Sequence, residues 1–193
     1  MKLVIIGKYT NCNLDCDENL TENQKYDLKE IITCFRANSG LYEQVSEATN
    51  IPSILIIALH YREADLDFTT YLGNGDPLGK ETVNVPSGLL FNDWYSGAVD
   101  ALTREKPAIA ASGITKDCLD FGKMITYATY FNGLGYLHRG VSDPYTLAGT
   151  DCYFNGVDNL GGKYTSDGVY SPTEIDKEVG VLIILRTLAA IIY

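Results

Sequence analysis

Glu63 ends the run Ile51-Pro-Ser-Ile-Leu-Ile-Ile-Ala-Leu-His-Tyr-Arg-Glu63, which is apolar on every face until its last residues. A string of turn formers, Gly73-Asn-Gly-Asp-Pro-Leu-Gly79, follows soon after. A carboxyl group held against apolar surface is costly to ionise, so its pKa rises. An acid that stays protonated near neutral pH can hand a proton to a leaving group. The position alone also allows a plain solvated residue at a helix end, so the choice rests on the surroundings.

His60 stands three residues before Glu63, one helical turn away, where it can orient the acid or simply fill the core. Arg62 reads as a surface or salt-bridging residue. His60-Tyr-Arg-Glu63 is not a zinc-binding helix, because no second histidine follows at the required spacing. Cys12 and Cys16 have the spacing of half a metal site, but a second close Cys/His pair is missing. No metal or cofactor is expected. Five cysteines leave at least one unpaired within a monomer, and Cys34 and Cys118 read as core positions on helices.

The elements that must position Glu63 follow from periodicity. Thr21 with Gln24 forms a capping box, and Leu28, Ile31, Ile32 and Phe35 give one apolar face, so a helix starts there. Asn38-Ser-Gly40 should end it, and a second helix should cover 41–49. Pro52 fits the first turn of a central helix running from about 51 to 63–65. Residues 68–90 read as β-hairpin and loop, with Thr82-Val-Asn-Val85 alternating. A helix is expected from Trp94 to a stop at Pro107, another over about 113–130, and a last one over about 173–192. Residues 131–172 are rich in Gly, Tyr, Asn and Asp and carry little pattern. A loop that long in a compact domain is usually functional. The fold class is mainly α (α+β), with a central buried helix and a small β-hairpin. Residues 1–20 read as an N-terminal arm and 21–193 as one main domain.

Composition sets the outer limits. The 193 residues, 46% hydrophobic and 21% charged, suit one domain with a proper core. A net charge of −10 disfavours nucleic acid as a partner. No apolar run reaches the ~20 residues of a membrane span, so no stable membrane insertion is expected. Met1-Lys-Leu-Val-Ile-Ile-Gly7 lacks a cleavage site and makes a poor signal peptide.

Taken in order, His60-Tyr-Arg-Glu63, Phe68, Tyr71-Leu-Gly-Asn-Gly-Asp-Pro-Leu78 and Thr82-Val-Asn-Val-Pro86 resemble a family of phage and bacterial lysozyme-like proteins. So do Phe131-Asn-Gly-Leu-Gly-Tyr136, Ser142-Asp-Pro-Tyr145, Gly149-Thr150, Tyr153, Gly162-Lys-Tyr164 and Asp167-Gly168. The resemblance spans about residues 40–190. It implies a lysozyme-like fold, akin to goose-type lysozymes and lytic transglycosylases. It also implies cleavage of the β-1,4 bond between N-acetylmuramic acid and N-acetylglucosamine in peptidoglycan. Glu63 matches the catalytic acid. Asn132 and Tyr136 match an Asn-Gly-x-Gly-Tyr element that lines the cleft, although Phe131 replaces a tyrosine of the related transglycosylases.

Asp76 is the expected second carboxylate, as catalyst or water-positioner, with Asp67 and Asp93 as alternatives. An inverting glycosidase separates its carboxyls by roughly 6.5–9.5 Å and a retaining one by roughly 5–5.5 Å. Tyr145, Tyr153, Tyr164 and Tyr170 can stack on sugars or pack down a glycine-rich loop. With His60, Asn132 and Tyr136, the first three of these tyrosines make up the expected substrate-binding set.

The acidic charge gives no steering toward an anionic wall. It favours a component of a larger assembly, with residues 1–20 docking on virion or tail proteins. The expected location is the virion, or the host cytoplasm and periplasm after release. Two rivals remain: a lysozyme-fold structural protein with decayed catalysis, and a cysteine amidase or peptidase, which needs a Cys–His pair.

Overall fold

The computed structural model describes residues 14–153, 161–166 and 168–192. Its elements in chain order are α1 (Glu22–Thr49), α2 (Ser53–Ala64), α3 (Trp94–Arg104), α4 (Lys106–Ser112), α5 (Phe121–Asn132), α6 (Gly135–Arg139), α7 (Pro144–Leu147), β1 (Lys163–Ser166), β2 (Val169–Ser171) and α8 (Val181–Ile192). The fold is mainly helical, as expected. Among the described residues no helix is long and apolar enough to cross a membrane.

The capping box starts α1: the Thr21 hydroxyl accepts from Gln24 N, and the Gln24 side chain accepts from Thr21 N. The expected break at Asn38 is a kink rather than an end. Asn38 leaves helical geometry (φ −122°, ψ 17°), and its amide donates to the Cys34 carbonyl at 3.0 Å, so the helix runs on to Thr49.

α2 is the central element. Every residue from Ile54 to Tyr61 is buried, and the helix packs between α1 and α8. The Tyr61 hydroxyl joins the three regions, donating to Asp27 on α1 and accepting from Val179 N just before α8.

Several expectations of local structure are corrected. Residues 68–90 form no hairpin of regular strands, only isolated bridges Thr70↔Pro77 and Glu81↔Leu90. Side-chain bonds take the place of a ladder there. The two-stranded sheet lies instead in the stretch expected to be irregular, where β1 pairs antiparallel with β2 through Tyr164↔Tyr170. Pro107 does not merely stop α3: it sits in the first turn of α4, where its missing N–H costs nothing. Gly113 ends α4 in the left-handed region, and α5 begins only after the Asp120 cap. Cys118 therefore lies in a turn, half-buried, and not on a helix. The last helix is shorter than expected, because residues 173–180 approach it without regular structure.

Residues 14–20 are not a free arm. Cys16 is disulfide-bonded to Cys152. Asn19 N donates to Gly149 O, Asp151 N donates to Asp17 O, and Arg186 of α8 donates to the Cys16 and Leu14 carbonyls. The odd-cysteine count concealed this pairing. Lys2–Ile6 and Cys12, read as a docking strand and half a metal site, lie outside the described residues.

Candidate active site

α2 delivers Glu63 in its last turn and then stops. Asp65 and Leu66 take left-handed backbone angles (φ 48° and 63°), and the Asp65 N–H closes on the His60 and Tyr61 carbonyls. Two consecutive non-glycine residues in this region are strained, which marks the end of α2 as a functional candidate. The Gly73–Gly79 loop meets it there. Gly75 has φ +72°, and a Cβ on it would lie 3.6 Å from the Glu63 carbonyl oxygen.

Burial pushes the Glu63 carboxyl up to about 7. The Tyr145 phenol and the Arg62 guanidinium pull it back down, and Glu178 pushes it up. The carbonyl end of the helix dipole acts in the same direction as burial. Tyr145 is 4% exposed, and burial and Glu63 together keep its phenol protonated. Its hydroxyl has no partner in good hydrogen-bond geometry, so its contact with Glu63 is close and electrostatic rather than a formed bond.

Arg62 is buried, not at the surface. It donates to Asp176 at 2.8 Å, pairs with Glu178 at 2.9 Å, and lies over the Tyr145 ring, 5.0 Å from the centroid. One cation thus holds down two acids of the chain entering α8 and covers the phenol behind Glu63.

Asp143 completes the group and was missed from sequence. It is buried and caps α7, its Oδ1 accepting from Tyr145 N at 3.0 Å and from Asn132 Nδ2 at 3.3 Å. Its Oδ2 is buried without a partner, and burial pushes the carboxyl up to about 7. The legible signal was Asp143-Pro144, a cap residue followed by proline at the helix start.

The expected binding residues divide. Asn132 is exposed, and Tyr136, Tyr164 and Tyr170 are half-buried and packed edge to face, with centroids 5.0–6.4 Å apart. Tyr164 N donates to the Tyr136 hydroxyl, and Arg139 stacks on Tyr170 at 4.2 Å. Tyr145 and Tyr153 are buried instead of lining a groove. The Tyr153 hydroxyl is used up between Gly162 O and Asp176 N. Asp167 lies outside the described residues.

His60 is a core histidine and is corrected as a substrate contact. It is fully buried, its Nδ1 is 2.9 Å from the Tyr42 hydroxyl, and Phe68 and Trp94 pack on it at 4.7 and 4.6 Å. Burial lowers its pKa to about 4, so it is neutral at pH 7.

All three acids considered as partners for Glu63 are engaged locally. The buried Asp76 carboxylate accepts from Val83 N, Asn84 N and the Asn84 amide at 2.7–2.9 Å. The Asn84 N–H and its other donors hold its pKa below the ordinary value. Asp67 accepts from Thr69 in a turn, and Asp93 caps α3 through Ser96. Among the described residues, one close set of potential metal ligands exists, Cys16, Asp151 and Cys152, but its two sulfurs are joined to each other.

The chain matches no family model, no curated protein and no solved structure to which it was compared.

Proposed function

We propose that this chain is a peptidoglycan glycosidase with a lysozyme-like fold, and that Glu63 is its general acid. The observation that carries the reading is the Glu63 carboxyl. It sits at the end of a helix buried from Ile54 to Tyr61 and is held protonated near neutral pH by burial, with a turn-rich loop against its backbone. The sequence resemblance supplies the substrate, the β-1,4 bond from N-acetylmuramic acid to N-acetylglucosamine.

In this mechanism protonated Glu63 gives its proton to the glycosidic oxygen, and the C1–O bond breaks with its electrons leaving on that oxygen. The new Glu63 carboxylate faces the positive charge at C1. It then takes a proton from whichever hydroxyl closes on C1. Water gives a reducing end. The sugar's own 6-hydroxyl gives a 1,6-anhydro ring with no water consumed. Asp76, Asp67 and Asp93 are all bound to backbone N–H groups, which favours the anhydro route, because that route needs no second carboxylate to activate water. Asn132, Tyr136 and Tyr164 are the accessible residues that would meet the glycan.

The Cys16–Cys152 disulfide favours action in a non-reducing compartment, the periplasm or outside the cell. Residues 1–13 remain the candidate docking segment for a virion or tail partner.

The second reading, a structural protein with a decayed site, draws on the burial of Tyr145 and Tyr153 and on Phe131. Incubation with purified wall, followed by mass spectrometry of the products, decides. Anhydro-muropeptides or reducing-end muropeptides that vanish with Glu63→Gln support the glycosidase. Free peptides would reassign the activity to an amidase or peptidase, and no products would leave the structural reading.

A further inference from the structure

Asp143 has a geometry that neither a surface acid nor an ordinary helix cap needs. The stretch 142–150 is buried along its whole length. Its backbone polar groups are therefore satisfied internally: Thr146 N and Leu147 N donate to Asp143 O, and Ala148 N donates to Pro144 O. The stretch is also clamped from outside. Gly180 N donates to Ala148 O at 2.9 Å, and a Cβ on Gly180 would sit 2.6–2.8 Å from backbone atoms of Thr146 and Ala148, so only glycine allows α8 this approach. Ser142 donates to the Cys152 carbonyl at 2.8 Å, next to the disulfide.

Within this rigid stretch the Asp143 carboxyl looks two ways. One oxygen takes the Tyr145 N–H and so sets the first turn of α7, from which the phenol reaches Glu63. The same oxygen takes the amide of Asn132, the exposed last residue of α5. A cap alone requires only the first bond. The second joins a buried carboxyl to an accessible amide that could touch a sugar.

We infer that Asp143 is a positioning residue of this site, one carboxyl oxygen fixing both the Tyr145 phenol behind Glu63 and the Asn132 amide at the surface. This rests on the reading of Glu63 as the acid. The groups facing Glu63 are Arg62 of its own helix, Tyr145 from α7 and Glu178 from the chain before α8. Asp176 acts through Arg62, and Asp143 acts through Tyr145.

The test follows the Glu63 carboxyl by carbon NMR in the full chain, together with wall-lysis kinetics. The Tyr145 contact lowers the Glu63 pKa, so Tyr145→Phe moves the Glu63 midpoint upward, by about half a pH unit or more. Asp143→Ala gives the same upward move, and the double variant moves no further, because the two act along one path. Asp143→Asn keeps an acceptor oxygen for both partners and restores the wild-type midpoint. Asp143→Ser keeps the cap but is too short for Asn132. It leaves the midpoint in place and raises KM several-fold at unchanged kcat, and Asn132→Ala reproduces this.

Additive shifts in the double variant overturn the inference. So does an unmoved midpoint in Tyr145→Phe, or an Asp143→Asn midpoint displaced as far as that of Asp143→Ala. If Asp143→Ala does not fold, an Asp143→Asn midpoint displaced as far as that of Tyr145→Phe, or an unchanged KM in Asp143→Ser, overturns the inference. The titration needs no substrate. A wild-type chain that releases no muropeptides removes the glycosidase reading and leaves the titration result standing.

Discussion

The buried Tyr145 phenol faces the Glu63 carboxyl, one carried by α7 and the other by the last turn of α2. Arg62, the neighbour of Glu63, lies over the Tyr145 ring, 5.0 Å from its centroid. An acid in this setting is costly to ionise but has a neutral donor ready when it does. That combination suits a group that must lose and regain a proton in each turnover.

Glu63→Gln separates chemistry from stability. Proton transfer by a placed acid contributes ~10²–10⁴-fold, so wall lysis should fall by that factor while the fold persists. The pH dependence has a definite sign. Folding raises the Glu63 pKa from 4.5 to about 7, so across that window the native state binds more protons than the unfolded state. Stability therefore falls as pH rises through the window. Glu63→Gln should match wild type near pH 4 and exceed it at pH 8 by ~1–3 kcal/mol in chemical denaturation. A variant less stable than wild type at pH 8 would contradict the burial of this carboxyl.

His60 should behave as packing. His60→Ala empties a site among Tyr42, Phe68 and Trp94 and should cost ~2–4 kcal/mol. The Glu63 titration midpoint should stay where it is. A moved midpoint in a folded variant would restore His60 as a partner of the acid.

Asp76 should act on its loop. Removing its carboxylate in Asp76→Ala frees the Val83 and Asn84 N–H groups and should cost ~1–3 kcal/mol, with faster protease cleavage between Thr82 and Gly88. Asp76→Asn, Asp67→Asn and Asp93→Asn belong in one wall assay. If Asp76→Asn abolishes lysis while cleavage of the 82–88 loop stays slow, Asp76 has a direct chemical role.

The N-terminal segment can now be cut with more care. Removing residues 1–20 also removes Cys16, and losing this disulfide should cost ~2–5 kcal/mol, as should Cys152→Ser. Deleting residues 1–13 leaves the disulfide intact. That shorter deletion should retain melting temperature and lysis while losing co-purification with virion proteins. Retained co-purification would place the docking surface elsewhere.

Residue type and spacing revealed α2, the Thr21 capping box and the acid at the helix end, because long apolar periodicity and cap chemistry are local signals. They missed α4, since a proline that ends one helix can open the next. They placed the hairpin at 68–90 because alternation there mimics a strand. In fact Asp76, Thr82 and Asn74 hold that segment through side-chain bonds. The Asp143–Asn132 and Arg62–Asp176 contacts were hidden because each joins residues that are remote or on different elements, and acids look alike until burial separates them. Tyr145 and Tyr153 read as groove residues for the same reason: glycine and tyrosine richness describes a loop equally well whether it lines a surface or folds inward.

The Cys16–Cys152 bond closes residues 16–152 into one covalent ring, and within that ring the 82–88 loop holds Val83 and Val85 out to solvent, 82% and 89% exposed. This exposed loop is open to proteolysis. A single cut there opens the ring without releasing either piece, so Glu63 on one side of the nick and Tyr145 on the other stay tethered and packed. Such a chain runs as one species on a gel until a reductant is added, and it tolerates the kind of damage that would split an uncrosslinked protein in two.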